Sequence, residues 1–166
     1  IFFTHTYYRT VFSVLIKQLS IDTTLCIVAN DVMDKILLYG VTGLTGSRIK
    51  QLLSEKHKIV APPHEYLDLT KKKDVKRNVG DVGPDYIIYA AGLTRVDHAQ
   101  KHPKEAYLLN AKIPAYIAQQ AAKLEIPVLY ISTDAVFDGT KKDRPYKETD
   151  KTNPKSVYGR SKREGE

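Results

Sequence analysis

The chain has 166 residues, 42% hydrophobic and 27% charged, with nine Gly and eight Pro; this is one domain's worth of core and excludes collagen-like and wholly disordered classes. A single cysteine, Cys26, excludes an internal disulfide framework and a cysteine-based zinc site, and suits a reducing compartment. The formal charge is +7, but the densest basic run, Lys71-Lys72-Lys73 with Lys76 and Arg77, has no interleaved aromatics, so it reads as a solvated helix face whose field favours an anionic small ligand, not as a nucleic-acid footprint.

Residues 1–32 are rich in Phe, Tyr, Thr and Ile but show no helix period and no turn grammar. The only methionine, Met33, stands just before the first convincing strand. The domain is therefore expected to start near Met33, with 1–32 an N-terminal extension of uncertain order; a genuine extra strand or helix is the competing reading. No stretch of about 18 uncharged apolar residues occurs, so no membrane span is expected. No small-residue cleavage site follows an apolar core, which argues against a secretory signal and for a cytoplasmic location.

From Met33 onward the elements alternate. Lys35–Tyr39 reads as a buried strand ending at Gly40. A helix is expected over 44–56, with Ile49, Leu52 and Leu53 on one face. A second strand, 58–61, is stopped by Pro62-Pro63. A helix over 71–79 would be capped by Thr70. A third strand, 85–90, is launched by Pro84. The stretch 103–124 has helical period, with Pro103 in its first turn and Pro114 expected to kink or divide it. Strand four is expected over 126–131, a turn at Asn153-Pro154, and a helix from Val157. Alternation of this kind predicts an α/β fold over residues 33–166: a doubly wound parallel sheet, Rossmann-like. Ligands in such sheets bind at the carboxyl ends of the strands.

Gly40-Val-Thr-Gly43-Leu-Thr-Gly46 joins the first strand to its helix. Glycines here serve a tight turn, a close approach to a pyrophosphate, and helix–strand packing, with a helix N-terminus facing the phosphates. The spacing is three and three, whereas the standard fingerprint has two and three. Strand two ends in Ala61-Pro62-Pro63-His64, without the acid that would hold a ribose 2′-hydroxyl. That leans towards a 2′-phosphate and NADPH, with Arg48 placed to help hold it; NADH stays open as an alternative. Asp68 reads either as a cofactor residue or as a loop acid that caps a turn. Tyr158 and Lys162 are four apart and share a helix face. A tyrosine needs help to transfer protons near neutrality, and a neighbouring ammonium provides it. Ser132-Thr133-Asp134 puts hydroxyls at the sheet's carboxyl edge. His98 and His102 are also four apart, but the sequence offers no clear third ligand, so no metal site is assigned. Asn110 reads either as a residue near the active centre or as part of a helix kink ahead of Pro114.

Gly40 to Gly46, Asp68-Leu69, Ala90-Ala91-Gly92, Val96-Asp97, Asn110-Ala111, Ser132-Thr133-Asp134-Ala-Val-Phe-Asp138-Gly139, Pro145-Tyr146 and Val157-Tyr158-Gly-Arg-Ser-Lys162 run in order. Together they resemble the extended short-chain dehydrogenase/reductase superfamily, and within it the dTDP-4-dehydrorhamnose reductases, over about 34–166 and roughly the N-terminal half of a family member. One departure is Ala135, where that family usually has Tyr, which would thin the pocket wall. The resemblance implies that Gly40, Thr42, Gly43, Leu44, Thr45 and Gly46 lie against the pyrophosphate, that Asp68 and Leu69 contact the adenine, and that Ala90, Ala91 and Gly92 line the cofactor. It implies Thr133 and Asp134 as substrate contacts, with Thr133 catalytic, Tyr158 as proton donor, and Lys162 holding the nicotinamide ribose and tuning Tyr158. The implied activity is reduction of a nucleotide-linked 4-keto-6-deoxy sugar in dTDP-rhamnose biosynthesis. Two readings compete: a nucleotide-sugar epimerase or dehydratase of the same superfamily, and a non-enzymatic regulatory subunit like the β subunit of methionine adenosyltransferase. The C-terminal substrate domain is expected to be missing, so the chain alone should be inactive, with Lys162 loosely held on a helix cut short at Glu166. A homodimer is an open expectation for the full-length protein.

Overall fold

A computed structural model describes residues 33–63, 66–142 and 144–166. The expectations for residues 1–32, and His64 at the end of strand two, lie outside the described residues.

Four parallel strands form one sheet: β1 (Lys35–Tyr39), β2 (Lys58–Val60), β3 (Tyr86–Tyr89) and β4 (Val128–Tyr130), in the order β2-β1-β3-β4. β2, β3 and β4 are one, two and three residues shorter than expected, because the flanking residues leave the ladder as the chain turns towards the next element. Successive side chains of a strand point to opposite faces, and helices cover both faces, so the strands read as unbroken apolar runs. On one face Leu37, Tyr39, Ile87 and Tyr89 pack with Val75, Val79, Ile113, Ile117 and Ala121. On the other, Ile36, Leu38 and Ile88 pack with Ile49. This is the doubly wound, Rossmann-like arrangement. The chain leaves β1 in one direction to reach β2 and in the other to reach β3, so the crevice at the switch point opens between the carboxyl ends of β1 and β3.

Helix α1 (Leu44–Leu53) ends three residues before the sequence suggests. Ser54 caps it, its hydroxyl turned back onto the Lys50 carbonyl. Ile49 is buried and Leu53 partly so, but Leu52 is exposed, which narrows the expected apolar face. Helix α2 (Lys72–Val82) runs longer than expected and ends on Gly83 in the left-handed region (φ 52°), whose N–H closes on Val79 O. Thr70 does not cap it: Lys71 occupies the cap position, and Thr70 gives both its N–H and its hydroxyl to Asp68 Oδ1.

The long connection from β3 to β4 is divided. Helix α3 (Val96–Lys101) stops at His102, whose φ of −125° and ψ of 61° break the helix, and α4 (Pro103–Tyr107) follows with Pro103 in its first turn. Leu108–Lys112 forms one π-helical turn, in which Ile113 N–H bonds Leu108 O, and α5 (Ile113–Ala122) continues. Pro114 is the cause. It has no N–H, so neither the α-helical bond to Asn110 O nor the π-type bond to Leu109 O can form. Tyrosines from the sheet claim the two carbonyls: Tyr89 donates to Leu109 O at 2.7 Å and Tyr130 to Asn110 O at 2.6 Å. The helix is thereby divided without leaving those carbonyls unpaired.

Candidate functional site

The fingerprint glycines are fixed by backbone contact. Gly40 has φ 86°, and a Cβ there would stand 2.4 Å from Ala91 N and 2.5 Å from Ala90 C. It therefore lets the end of β1 pass against the end of β3, the two lips of the crevice. A Cβ on Gly46 would stand 2.1 Å from Gly40 O, so α1 is seated directly on the loop that precedes it. Gly43 differs: its nearest neighbour would be Gly40 O at 3.4 Å, an ordinary contact. Its side faces open space at the N-terminus of α1, where no side chain caps the helix. Thr42, Leu44 and Thr45 are exposed around it, Leu44 to 92%. Uncapped N–H groups beside a glycine with room in front of it suit a phosphate group, and the residues present fit a dinucleotide.

Ala90, Ala91 and Gly92 continue β3 along the second lip. Their support comes from Asn110, which is fully buried in the π turn. Its Oδ1 accepts from Leu93 N–H (2.9 Å), and its Nδ2 donates to Leu93 O (3.0 Å) and to Ser161 Oγ (2.9 Å). A Cβ on Gly92 would meet Asn110 Oδ1 at 2.7 Å. Asn110 thus ties the cofactor-side loop after β3 to the helix that carries Tyr158 and Lys162.

That helix, α6 (Val157–Gly165), is N-capped by Ser156 Oγ, which accepts Gly159 N–H at 3.0 Å. Its glycines seat it on the backbone that follows β4 and on the π turn. A Cβ on Gly159 would stand 2.2 Å from Ala135 O, and one on Gly165 would stand 2.1 Å from Asn110 O. Lys162 is only 5% exposed. Its Nζ donates to Ile131 O at 2.5 Å and lies 3.9 Å from the Tyr130 ring centroid. The sequence suggests a loosely held Lys162; the structure corrects this, because α6 is seated on the π turn and the turn after β4, and the side chain is held by Ile131 O and the Tyr130 ring with few residues beyond it. Burial lowers the Lys162 pKa to about 8, against the opposing attraction of Glu166, so it is still mostly charged at neutral pH. Tyr158 packs with Ala99, Ala106 and Val157 beside it.

Thr133 follows β4 and caps a 3-10 turn, Asp134–Val136, by accepting Ala135 N–H at 3.2 Å. Its own proton is held only by a 3.3 Å contact to Asp134 Oδ1. The same turn is braced from the far side of a loop: Asn153 N–H bonds Val136 O, and Asn153 Nδ2 bonds Asp138 Oδ2 at 3.0 Å. Asp138 also accepts from the Tyr146 hydroxyl and from Thr140, and these bonds hold its carboxyl well below the usual range.

Asp68 takes the loop-acid geometry. Its Oδ1 accepts from Thr70 N–H and hydroxyl, and Lys71 Nζ stands 3.4 Å from Oδ2; the bonds from Thr70 lead in lowering its pKa. Leu69 beside it packs against the core. Arg48 is on the exposed side of α1, bonded to Gln51 Oε1 at 2.5 Å. Two relationships escaped sequence reasoning. The tyrosine donors to Leu109 and Asn110 could have been sought from Pro114, which orphans those carbonyls. And a third potential ligand for the two histidines does exist: Glu105, whose Oε2 is 2.9 Å from His98 Nε2.

Residues 33–166 match the RmlD substrate binding domain family. The dTDP-4-dehydrorhamnose reductase of Aggregatibacter actinomycetemcomitans is 38% identical over 136 residues, 81% of this chain and 46% of that protein. The methionine adenosyltransferase 2 subunit beta of Bos taurus is 32% identical over 140 residues, 80% of this chain and 41% of that protein. Among solved structures, the Bacillus anthracis dTDP-4-dehydrorhamnose reductase in complex with NADP superposes with a TM-score of 0.75 at 32% identity, covering 82% of this chain and 49% of that one. The chain spans about half the length of the curated relatives it matches.

Proposed function

The chain belongs to the RmlD substrate binding domain family, and on that premise we propose that it is the cofactor-binding part of an NADPH-preferring reductase acting on the 4-keto group of a nucleotide-linked 6-deoxy sugar. The observation that supports this reading is the seating of α6 on the turn of Thr133 and Ala135 and on the π turn, with Lys162 reaching Ile131 O just past β4 and Asn110 linking α6 to the lip that faces Gly40. NADPH held in this crevice would supply the hydride for the carbonyl carbon. Tyr158 gives the proton to the carbonyl oxygen, so that the ketone becomes an alcohol. Thr133, its oxygen fixed by Ala135 N–H, turns its proton to the same oxygen and polarises the bond. Lys162, charged at neutral pH, offers a donor to the nicotinamide ribose. Gly43 and the first turn of α1 hold the pyrophosphate, Asp68 and Leu69 meet the adenine, and Arg48 favours a 2′-phosphate.

A second reading has its own support, the 32% identity to a methionine adenosyltransferase β subunit. In that case the same crevice serves a binding partner, not turnover. NADPH consumption by the full-length protein with dTDP-4-dehydrorhamnose separates the two: turnover supports the reductase, and tight NADPH binding without turnover supports the regulatory subunit.

A further inference from the structure

His98, His102 and Glu105 meet outside the residues that serve the cofactor and the sugar. The two imidazoles are four residues apart at the end of α3 and stack with centroids 4.3 Å apart and planes 28° from parallel. Glu105 Oε2 is 2.9 Å from His98 Nε2. One ligand atom from each of the three side chains lies within 4.8 Å of the others. Sequence spacing does not predict this meeting. Along an unbroken helix, seven residues rise about 10.5 Å, which would set Glu105 two turns from His98. The break at His102 folds the first turn of α4 back, and only so does the carboxylate reach the imidazole.

We propose that these three side chains form a site for a borderline divalent transition metal, with zinc as the reference ion. Two imidazole nitrogens and one carboxylate oxygen, with a fourth position open to water, are the donor set such ions take. A single carboxylate is too little for calcium or magnesium, which need several oxygen ligands, and the neighbouring Lys101 and Lys104 oppose binding that depends on charge alone. Glu105 is the acceptor in its bond to His98, so a proton sits on Nε2; when the metal ion takes Nε2, the neutral ring carries that proton on Nδ1 instead. Tetrahedral ligands about 2.1 Å from one ion stand roughly 3.4 Å apart, so the set closes by about 1 Å or somewhat more, a rotamer adjustment open to side chains at the surface. Occupancy clips α3 to α4. Those helices bury Ala99 and Ala106 against Val157 of α6, so the clip stiffens the support of the Tyr158 helix.

The test is calorimetric titration of the metal-stripped 166-residue chain with zinc chloride, with thermal denaturation alongside and magnesium and calcium chloride as separate arms. The expected result is one zinc per chain, a raised melting temperature, and no response to magnesium or calcium. His102→Gln and His98→Ala should weaken zinc binding by at least the roughly tenfold that even outer-shell changes cost, and Glu105→Gln by less, with circular dichroism reporting that each variant keeps the fold. Absence of saturable zinc binding overturns the site. So does zinc binding that survives the double change His98→Ala and His102→Gln, because another cluster would then be holding the ion.

Discussion

Asn110 and Ser161, 51 residues apart in the chain, share a buried hydrogen bond from Nδ2 to Oγ at 2.9 Å. Through it the loop after β3 and the helix of Tyr158 and Lys162 are held as one unit, because the same amide also clamps both backbone groups of Leu93. Replacing Asn110 by Ala leaves the half-buried N–H and C=O of Leu93 without side-chain partners, each costing up to about 1–3 kcal/mol. Asn110→Ala should therefore lower the unfolding free energy by about 2–4 kcal/mol in urea denaturation. A loss below about 0.5 kcal/mol, the scale of ordinary surface changes, would contradict the clamp.

The fingerprint glycines should separate into fold and function. Gly46→Ala drives a Cβ into Gly40 O and should destabilise the chain. Gly43→Ala meets only an ordinary contact at 3.4 Å, so its melting temperature should stay close to wild type. Its methyl group points into the space assigned to the pyrophosphate, however, and fluorescence titration should show NADPH binding weakened by about tenfold or more. Unchanged affinity in Gly43→Ala would remove the phosphate from this loop.

Much of this was readable in advance. β1, the glycine loop and the Tyr158–Lys162 helix stand where the apolar runs, Gly spacing and Pro154 put them, because each is specified by neighbours in sequence. The π turn, the tyrosine donors and the setting of Lys162 were not, because they depend on which side chain lies across the sheet. Glu105 shows the same limit: periodicity sets it far from His98, and one broken peptide geometry at His102 brings it near. Asp68 was legible as an acid in a turn, and the geometry adds that Thr70 and Lys71 engage its carboxylate.

Lys162 gives the fold a pH signature. Its pKa is about 8 when folded against 10.5 when free, so between those values the unfolded chain binds more protons and stability rises with pH. The contribution is fully present above 10.5 and is lost as pH falls through about 8; its size is about 3 kcal/mol at most. Burial acts in the other sense on Tyr39, Tyr89 and Tyr130, whose pKa values are all raised, so stability falls once tyrosines ionise in the unfolded chain above about 10. Denaturation midpoints should climb from pH 8 towards 10 and then drop. Lys162→Met should abolish the climb and keep the drop; a climb that persists in Lys162→Met assigns it to another group.

In the proposed site, the 2′-phosphate reading rests on the lack of an acid in Ala61-Pro62-Pro63 after β2 and on Arg48. NADPH should bind at least as tightly as NADH, and Arg48→Ala should narrow the gap by weakening NADPH alone. A preference of about tenfold for NADH in the unaltered protein, roughly 1.4 kcal/mol, would contradict the 2′-phosphate reading.

The most direct test of the reductase reading is the effect of Tyr158→Phe on sugar reduction in the full-length protein, with NADPH affinity measured in parallel. General acid catalysis contributes about 10²–10⁴-fold, so turnover of dTDP-4-dehydrorhamnose should fall by that range while NADPH binding stays nearly unchanged. If the Phe variant keeps more than about half the wild-type rate, Tyr158 is not the proton donor and the catalytic account built on α6 is wrong.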